Sequence, residues 1–346
     1  FLKSLLFVFI VTTSLAFILN LLSEIDFFKE IDVDIYFPLF LSFLNSPALV
    51  FEMFPFIFLI TTQLFFIKLF ENKEIDIFKY SGLKNSKILL ILSTISFVTG
   101  LIVTILFYNF SSNLKNIYLD IKSNYTNDGK YLAVVTKNGL WIKDKLANKV
   151  LMINSSKIEN NYLVGNFITE FDSEYNVIQN IQSEKIDISQ KEWLIYDAKV
   201  FKRNEYKVIE LLKINTNFDQ RRIETLFSNL SSLNILGLFE LRENYKKLNY
   251  SVTEIDLQII KFFSYPFYLL LMTIFASLVM LNIKYIKSNT YKISVGLFFS
   301  VIIYYLNNFS QVLGSTERIP LFLSILIPLL ILAVINSIMI FKINEK

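Results

Sequence analysis

Apolar and polar residues along this chain are segregated into long blocks. Six apolar runs, at 1–22, 47–70, 88–108, 262–283, 293–313 and 319–341, fall into two groups of three. A hydrocarbon core about 30 Å thick needs roughly 20 apolar residues in an α-helix, and each run meets or approaches that length. Between the groups, 112–251 is polar, and within many of its short runs apolar and polar residues alternate. The pattern predicts an α-helical polytopic membrane protein with six transmembrane helices, three plus three, and an inserted extracytoplasmic all-β domain. The expected domains are 1–111 with helices one to three, 112–251 with the β structure, and 252–346 with helices four to six.

The insert carries its own local signals. The stretch 130–143 reads KYLAVVTKNGLWIK: an apolar strand, an Asn138-Gly139 turn and a second strand with Trp141. Asn-Gly between β-prone runs signals a hairpin, because both central residues of the tight turn need positive φ. Further strands are expected at 150–153, 162–171, 177–181, 185–188, 193–201 and 206–214. Short strands at this spacing suggest a sandwich or jelly-roll-like sheet. Its acids Asp144, Glu159, Asp187 and Asp197 are scattered and read as solvated faces and turns. From 233 to 260 helical spacing returns and leads into the fourth membrane run.

Charge orients the chain. The loop 71–87 holds Lys73, Lys79, Lys84 and Lys87, while 284–292 adds Lys284, Lys287 and Lys292 without an acid. On the opposite side, 23–37 sets Glu24, Asp26, Glu30, Asp32 and Asp34 against Lys29, and Arg318 is the one basic residue of 314–318. Lysine and arginine accumulate in cytoplasmic loops, so both termini are expected in the cytoplasm and the β domain outside it. The chain starts at Phe1, which suggests a short missing N-terminal piece. The run 1–22 has no small-residue cleavage site after it and is expected to stay as a membrane helix.

Composition narrows the function. With 53% apolar residues among 346, the chain is too hydrophobic for an ordinary soluble domain. It contains neither cysteine nor histidine. Disulfides, Ser-His-Asp and Cys-His chemistry and histidine-bound zinc are thereby excluded, and no catalytic or metal site is expected. The net charge of +4 comes without a basic face interleaved with aromatics, so no nucleic acid is expected as a partner. No cofactor is expected, and any ATPase must be a separate chain, because no GxxxxGK[ST] phosphate loop occurs.

Two regions hold candidate functional residues. The loop 71–87 reads ENKEIDIFKYSGLKNSK, with Ile75, Ile77, Phe78 and Leu83 among Glu74, Asp76 and Lys79, and Ser81-Gly82 as a helix stop. Such a helix suits a groove on a cytoplasmic partner. It suits a bed of lipid headgroups equally well, and composition leaves both open. Among the membrane runs, Glu52 needs explaining, since an acid at the bilayer centre costs about 2.5–3.5 kcal/mol on insertion scales. Its position between Pro47 and Pro55, near the outer end of its run, fits a structural or interfacial role. Asn307 and Gln311 share a helix face and are expected to meet another helix or line a polar opening.

Together these residues resemble the lipopolysaccharide-export permease family, the paired F and G membrane subunits of the Lpt ABC transporter, over essentially the whole chain. Pro47, Glu52 and Pro55 resemble the opening of the family's second helix. Glu74, Ile75, Phe78, Ser81 and Gly82 resemble its coupling loop, with Lys73 and Ser81 where the family has serine and alanine. Gly139, Leu140, Trp141 and Asp144 resemble the GLW-x-K/R-D strand of the G-type periplasmic domain and favour that subunit. Pro266, Pro320 and Pro328 resemble the last three helices. The resemblance implies a heterodimer with a paralogous permease and a cytoplasmic ABC ATPase dimer that grips one coupling helix from each. It implies extraction of lipopolysaccharide from the outer leaflet of the inner membrane and transfer to a periplasmic or single-span bridge protein. Family members meet lipid A phosphates with basic residues near the outer end of the first helix. Here that stretch is acidic apart from Lys29, so Arg318 or a partner is expected to supply the charge. The alternatives are a force-transmitting ABC subunit that carries no lipid and an extracytoplasmic sensor or scaffold.

Overall fold

The computed structural model describes residues 1–31, 33–34, 36–123, 125, 140–146, 149–159, 161–202, 205–220, 223, 229–247, 251–283, 286 and 288–344. The chain divides into two compact units, Phe1–Tyr118 with Thr253–Lys346, and Leu119–Val252.

The first unit is helical. Its elements are α1 (Leu2–Phe27), α2 (Tyr36–Glu71), the short α3 (Glu74–Tyr80) and α4 (Asn85–Ile102). A π-turn (Val103–Phe107) joins α4 to α5 (Tyr108–Ser123), and the chain returns to the unit in α7 (Thr253–Asn282), α8 (Asn289–Ser315) and α9 (Leu321–Asn344). Among the described residues, six helices are long and apolar enough to cross a bilayer. They are longer than the apolar runs. The 36 residues of α2 extend roughly 54 Å at 1.5 Å per residue, well beyond a core of about 30 Å.

That extra length brings polar residues and prolines inside the helices. Pro55 has no N–H to give to the carbonyl of Phe51, one turn back. The Tyr265 hydroxyl of α7 donates to that same carbonyl, and its ring stacks on Phe51 with centroids 4.6 Å apart. A freed backbone acceptor is thus satisfied by a neighbouring helix, the usual condition for proline within a membrane span.

Small residues set the closest helix approaches. A Cβ on Gly314 of α8 would stand 2.3 Å from the Ser324 hydroxyl and 2.5 Å from its Cβ on α9. A Cβ on Gly100 of α4 would meet only ordinary contacts, 3.4 Å from Leu269 and 3.6 Å from the Pro266 backbone. Gly314→Ala is therefore expected to cost about 1–3 kcal/mol through overpacking. Gly100→Ala is expected to be neutral or to gain up to about 1 kcal/mol of helix propensity. Thermal unfolding of the two variants in detergent micelles should rank them in that order.

The second unit is built on one six-stranded antiparallel sheet: β1 (Leu140–Lys145), β2 (Val150–Glu159), β3 (Tyr162–Phe171), β4 (Val177–Asp187), β5 (Glu192–Lys202) and β6 (Glu205–Asn215). Neighbours in sequence are neighbours in the sheet. The expected Asn138-Gly139 hairpin lies outside the described residues; the strand predicted after it is β1. The runs expected at 177–181 and 185–188 form the single strand β4.

The register explains that merger. Ser156, Gly165, Glu184, Asp197 and Glu210 stand opposite one another, and pairing is interrupted at each of them. Gly165 and Asp197 take positive φ, 65° and 49°. On crossing this line the inward positions change parity: Leu163 gives way to Ile168, Ile181 to Ile186, and Ile195 to Ala198, all buried. Local irregularities of this kind bend and twist a strand. In the sequence, the same change interrupts the period-two pattern and imitates a strand end. The core also includes Ile142, Ile153 and Trp193, whose indole N–H donates to the Phe218 carbonyl at 2.8 Å. Beyond the sheet, α6 (Ile235–Lys247) precedes the return to α7.

Candidate functional site

The loop predicted to contact a partner folds as α3, bounded by two left-handed residues. Lys73 (φ 58°) ends α2, and Gly82 (φ 79°) closes α3. The Leu83 N–H reaches the Phe78 carbonyl at 2.9 Å, a C-terminal closure that requires the left-handed residue before it. A Cβ on Gly82 would meet nothing within 4 Å, so the requirement for glycine is conformational. Asn72 donates to the Glu74 carboxylate at 2.9 Å.

The predicted contact residues divide between two faces. Ile75 is buried and Phe78 half-buried against Phe66, Ile88 and Leu278, so both anchor α3 to the helical unit. Ser81 and Gly82 are exposed, and Glu74 is half-buried. The outward apolar surface comes instead from Ile77, 60% exposed, and Tyr80, 92% exposed. Sequence reasoning named Ile77 only as part of the amphipathic pattern and did not single out Tyr80. Their spacing of three residues, off the Ile75–Phe78 face, was the available signal.

At the other end of the helical unit lies a polar cluster. Glu24, read from sequence as a loop acid, belongs to α1, is 2% exposed, and accepts from the Tyr118 hydroxyl at 2.8 Å. One turn earlier, Asn20 donates to Ser46 and accepts from Asn45, both at 3.1 Å. Glu52 is exposed and lies within electrostatic reach of Lys115 on α5 and Lys261 on α7. Sequence reasoning missed those two cations. Lys261 directly precedes the fourth apolar run, and Lys115 sits where α5 continues past the third. Lys29 and Arg318 are exposed in the turns that follow α1 and α8. Asn307 and Gln311 are half-buried on α8.

An apolar cleft of about 580 Å³ opens between α1 and the π-turn, lined by Leu2, Leu6, Phe54, Val103 and Leu106 among others. Its aromatic floor is Phe9, Phe54 and Phe107, with centroids 5.2–5.9 Å apart.

In the β unit the predicted strand motif is mostly structural. Leu140 is buried, and Gly139 lies outside the described residues. Asp144 is buried and accepts from the Asn217 backbone N–H at 2.9 Å and side-chain amide at 2.7 Å. Trp141 is 52% exposed on β1, and Phe167, in the same cross-strand row, is exposed as well. At the opposite edge β6 exposes Tyr206, Val208 and Leu211.

The chain belongs to the lipopolysaccharide export permease family: the family model described as "Lipopolysaccharide export system permease LptF/LptG" matches residues 1–342. It is a multi-pass inner-membrane permease of that system. No curated protein matches the chain.

Proposed function

We propose that this permease subunit takes lipopolysaccharide from the outer leaflet of the inner membrane and passes it to its own β unit. From there a periplasmic or single-span bridge protein receives it, and a cytoplasmic ATPase docked on α3 drives the cycle. The observation that carries this reading is the form of the sheet. Six strands run as one unclosed antiparallel meander around an apolar inner face, and at the β5–β6 end the inward Val200, Ile209 and Leu212 are only half-buried. An amphiphile's acyl chains need an apolar trough, and an unclosed sheet leaves a side for entry and exit.

Other features support the reading. The lysine-rich loops favour a cytoplasmic side for α3 and both termini and a periplasmic side for the β unit. Only 22% of the most apolar stretch of α1 and 17% of that of α8 are buried within the chain, which suits a paralogous permease packed against both helices. Lys115 and Lys261 around Glu52, with Lys29 and Arg318, supply cations for lipid phosphates at the end where α1 is acidic. The 139–144 motif favours the G-type subunit.

A photo-crosslinking residue at Val200 or Leu212, both packed on the β core, tests the reading in membranes. The expected result is an ATP-dependent adduct with lipopolysaccharide. Adducts with protein alone would sink the lipid pathway and leave a force-transmitting subunit.

A further inference from the structure

A buried polar joint ties α8 to the last turns of α2. The fully buried Gln63 side chain donates from Nε2 to the Lys292 carbonyl at 2.8 Å. A Cβ on Gly296 would stand 2.1 Å from that same nitrogen, so the amide occupies the space that any side chain at 296 would need. Lys292 is buried with its ammonium 4.7 Å above the Phe70 ring, within electrostatic reach of Glu71. The Glu71 carboxylate accepts from Asn289 at 2.8 Å. Towards its far end α8 offers α2 a different kind of contact, the tilted ring pair Phe56 and Tyr304 at 5.5 Å.

The joint is a poor device for stability alone. Gln63 Oε1 is buried and has no hydrogen-bond partner among the described residues. An apolar side chain of similar size would avoid that loss. What the amide gives is position: a hydrogen bond of fixed direction, seated in a notch that only glycine provides. α2 ends at Glu71, and after Asn72 and the left-handed Lys73 the chain enters α3 at Glu74.

We propose that Gln63 is a positioning residue and Gly296 the pivot on which α8 tilts when α3 moves, an inference that rests on the transporter reading above. Displacement of α3 acts through the last turn of α2 and the Glu71 contacts on the base of α8. The arm from Gly296 to Ser315 is roughly 28 Å and that from Gly296 to Asn289 roughly 10 Å, at 1.5 Å per residue. A movement of 1 Å at the base therefore becomes about 3 Å at the far end, if the helix moves as a rod. On the α2 side the Phe56–Tyr304 ring contact can slide without breaking a hydrogen bond, while the turn after α8 is held to α7 by the Thr253 hydroxyl, which donates to Glu317 at 2.6 Å and has to yield with it.

This chain contains no cysteine, so it is labelled only at the introduced positions before the complex is assembled. Val312→Cys and Phe43→Cys place spin labels at exposed sites near the far ends of α8 and α2. Their separation is read by pulsed electron resonance in the complete complex in nanodiscs, with and without ATP. The expected result is a nucleotide-dependent change that falls by at least about half in Gln63→Ala and in Gly296→Ala, while ATP hydrolysis stays within about twofold. Gln63→Ala carries the test if Gly296→Ala fails to assemble. Both variants moving as the unsubstituted protein does would overturn the pivot alone. No nucleotide-dependent change in the unsubstituted protein would overturn the pivot and the transporter reading together.

Discussion

Replacing Ile77 by Glu is expected to remove the ATPase from the purified complex while leaving the helical unit folded. Ile77 projects from α3 into solvent, next to Tyr80 and away from the Ile75–Phe78 anchor. Burying such a side chain in a partner groove is worth about 1.5–3 kcal/mol, and tyrosine is among the residues that most often dominate interfaces. Losing the Ile77 contribution alone weakens binding at least about tenfold, and a carboxylate left in an apolar groove weakens it further. Ile75→Ala provides the contrast. It should reduce the yield of folded protein together with the ATPase, because Ile75 is a core residue. Co-purification and lipopolysaccharide transport, measured for both variants, separate docking from folding. An unchanged ATPase content in Ile77→Glu would place α3 on lipid headgroups instead.

Much of the fold was legible because a membrane separates polarity in long blocks. Each of the six apolar runs falls largely within one of the long helices, and the β-prone runs from 150 onward fall within strands apart from Ile188, one residue past β4. What block polarity could not show was where the helices end. Hydropathy stops at the edge of the hydrocarbon, whereas hydrogen-bonded helix continues, so Glu24 was read as a loop residue and Lys115 fell in the stretch assigned to the β domain. In the sheet, the parity change at Glu184 hid the continuity of β4 for the corresponding reason in period two.

The candidate site was legible at the level of segments and less so at single residues. Glu74 and Gly82 matched a motif, but side-chain direction on a helix of seven residues depends on which face meets the bundle. That face is set by Phe66, Ile88 and Leu278, which are distant in sequence. Gln63 carried no motif at all. Its partner Gly296 read as an ordinary glycine in an apolar run, and only the approach of the two helices gives the pair meaning.

Trp193→Ala is expected to unfold the β unit selectively. Trp193 is fully buried on β5, with its ring in the main core cluster and its N–H satisfied by Phe218. Truncating a buried tryptophan to alanine costs about 3–5 kcal/mol, from lost transfer energy and the cavity left behind. Whole domains are stable by only about 5–15 kcal/mol, so the change consumes a large share of the margin. The backbone acceptor is not abandoned, because the Thr216 hydroxyl also donates to the Phe218 carbonyl at 2.8 Å. The penalty is therefore mostly one of packing, and Trp193→Phe should recover a good part of it. Trp141→Phe, on the exposed face of β1, should stay within about 0.5 kcal/mol of the unsubstituted protein. The chain has two tryptophans, so Trp141 remains as the sole tryptophan in Trp193→Ala and, excited selectively at the red edge of its absorption, reports the urea midpoint of the full-length protein in micelles. A marked fall in that midpoint, with the helical unit still protected from protease, would show that the β core stands on Trp193. Because the proposed lipid trough is the inner face of the same sheet, Trp193→Ala should also lose the adduct at Val200, whereas Trp141→Phe should keep it.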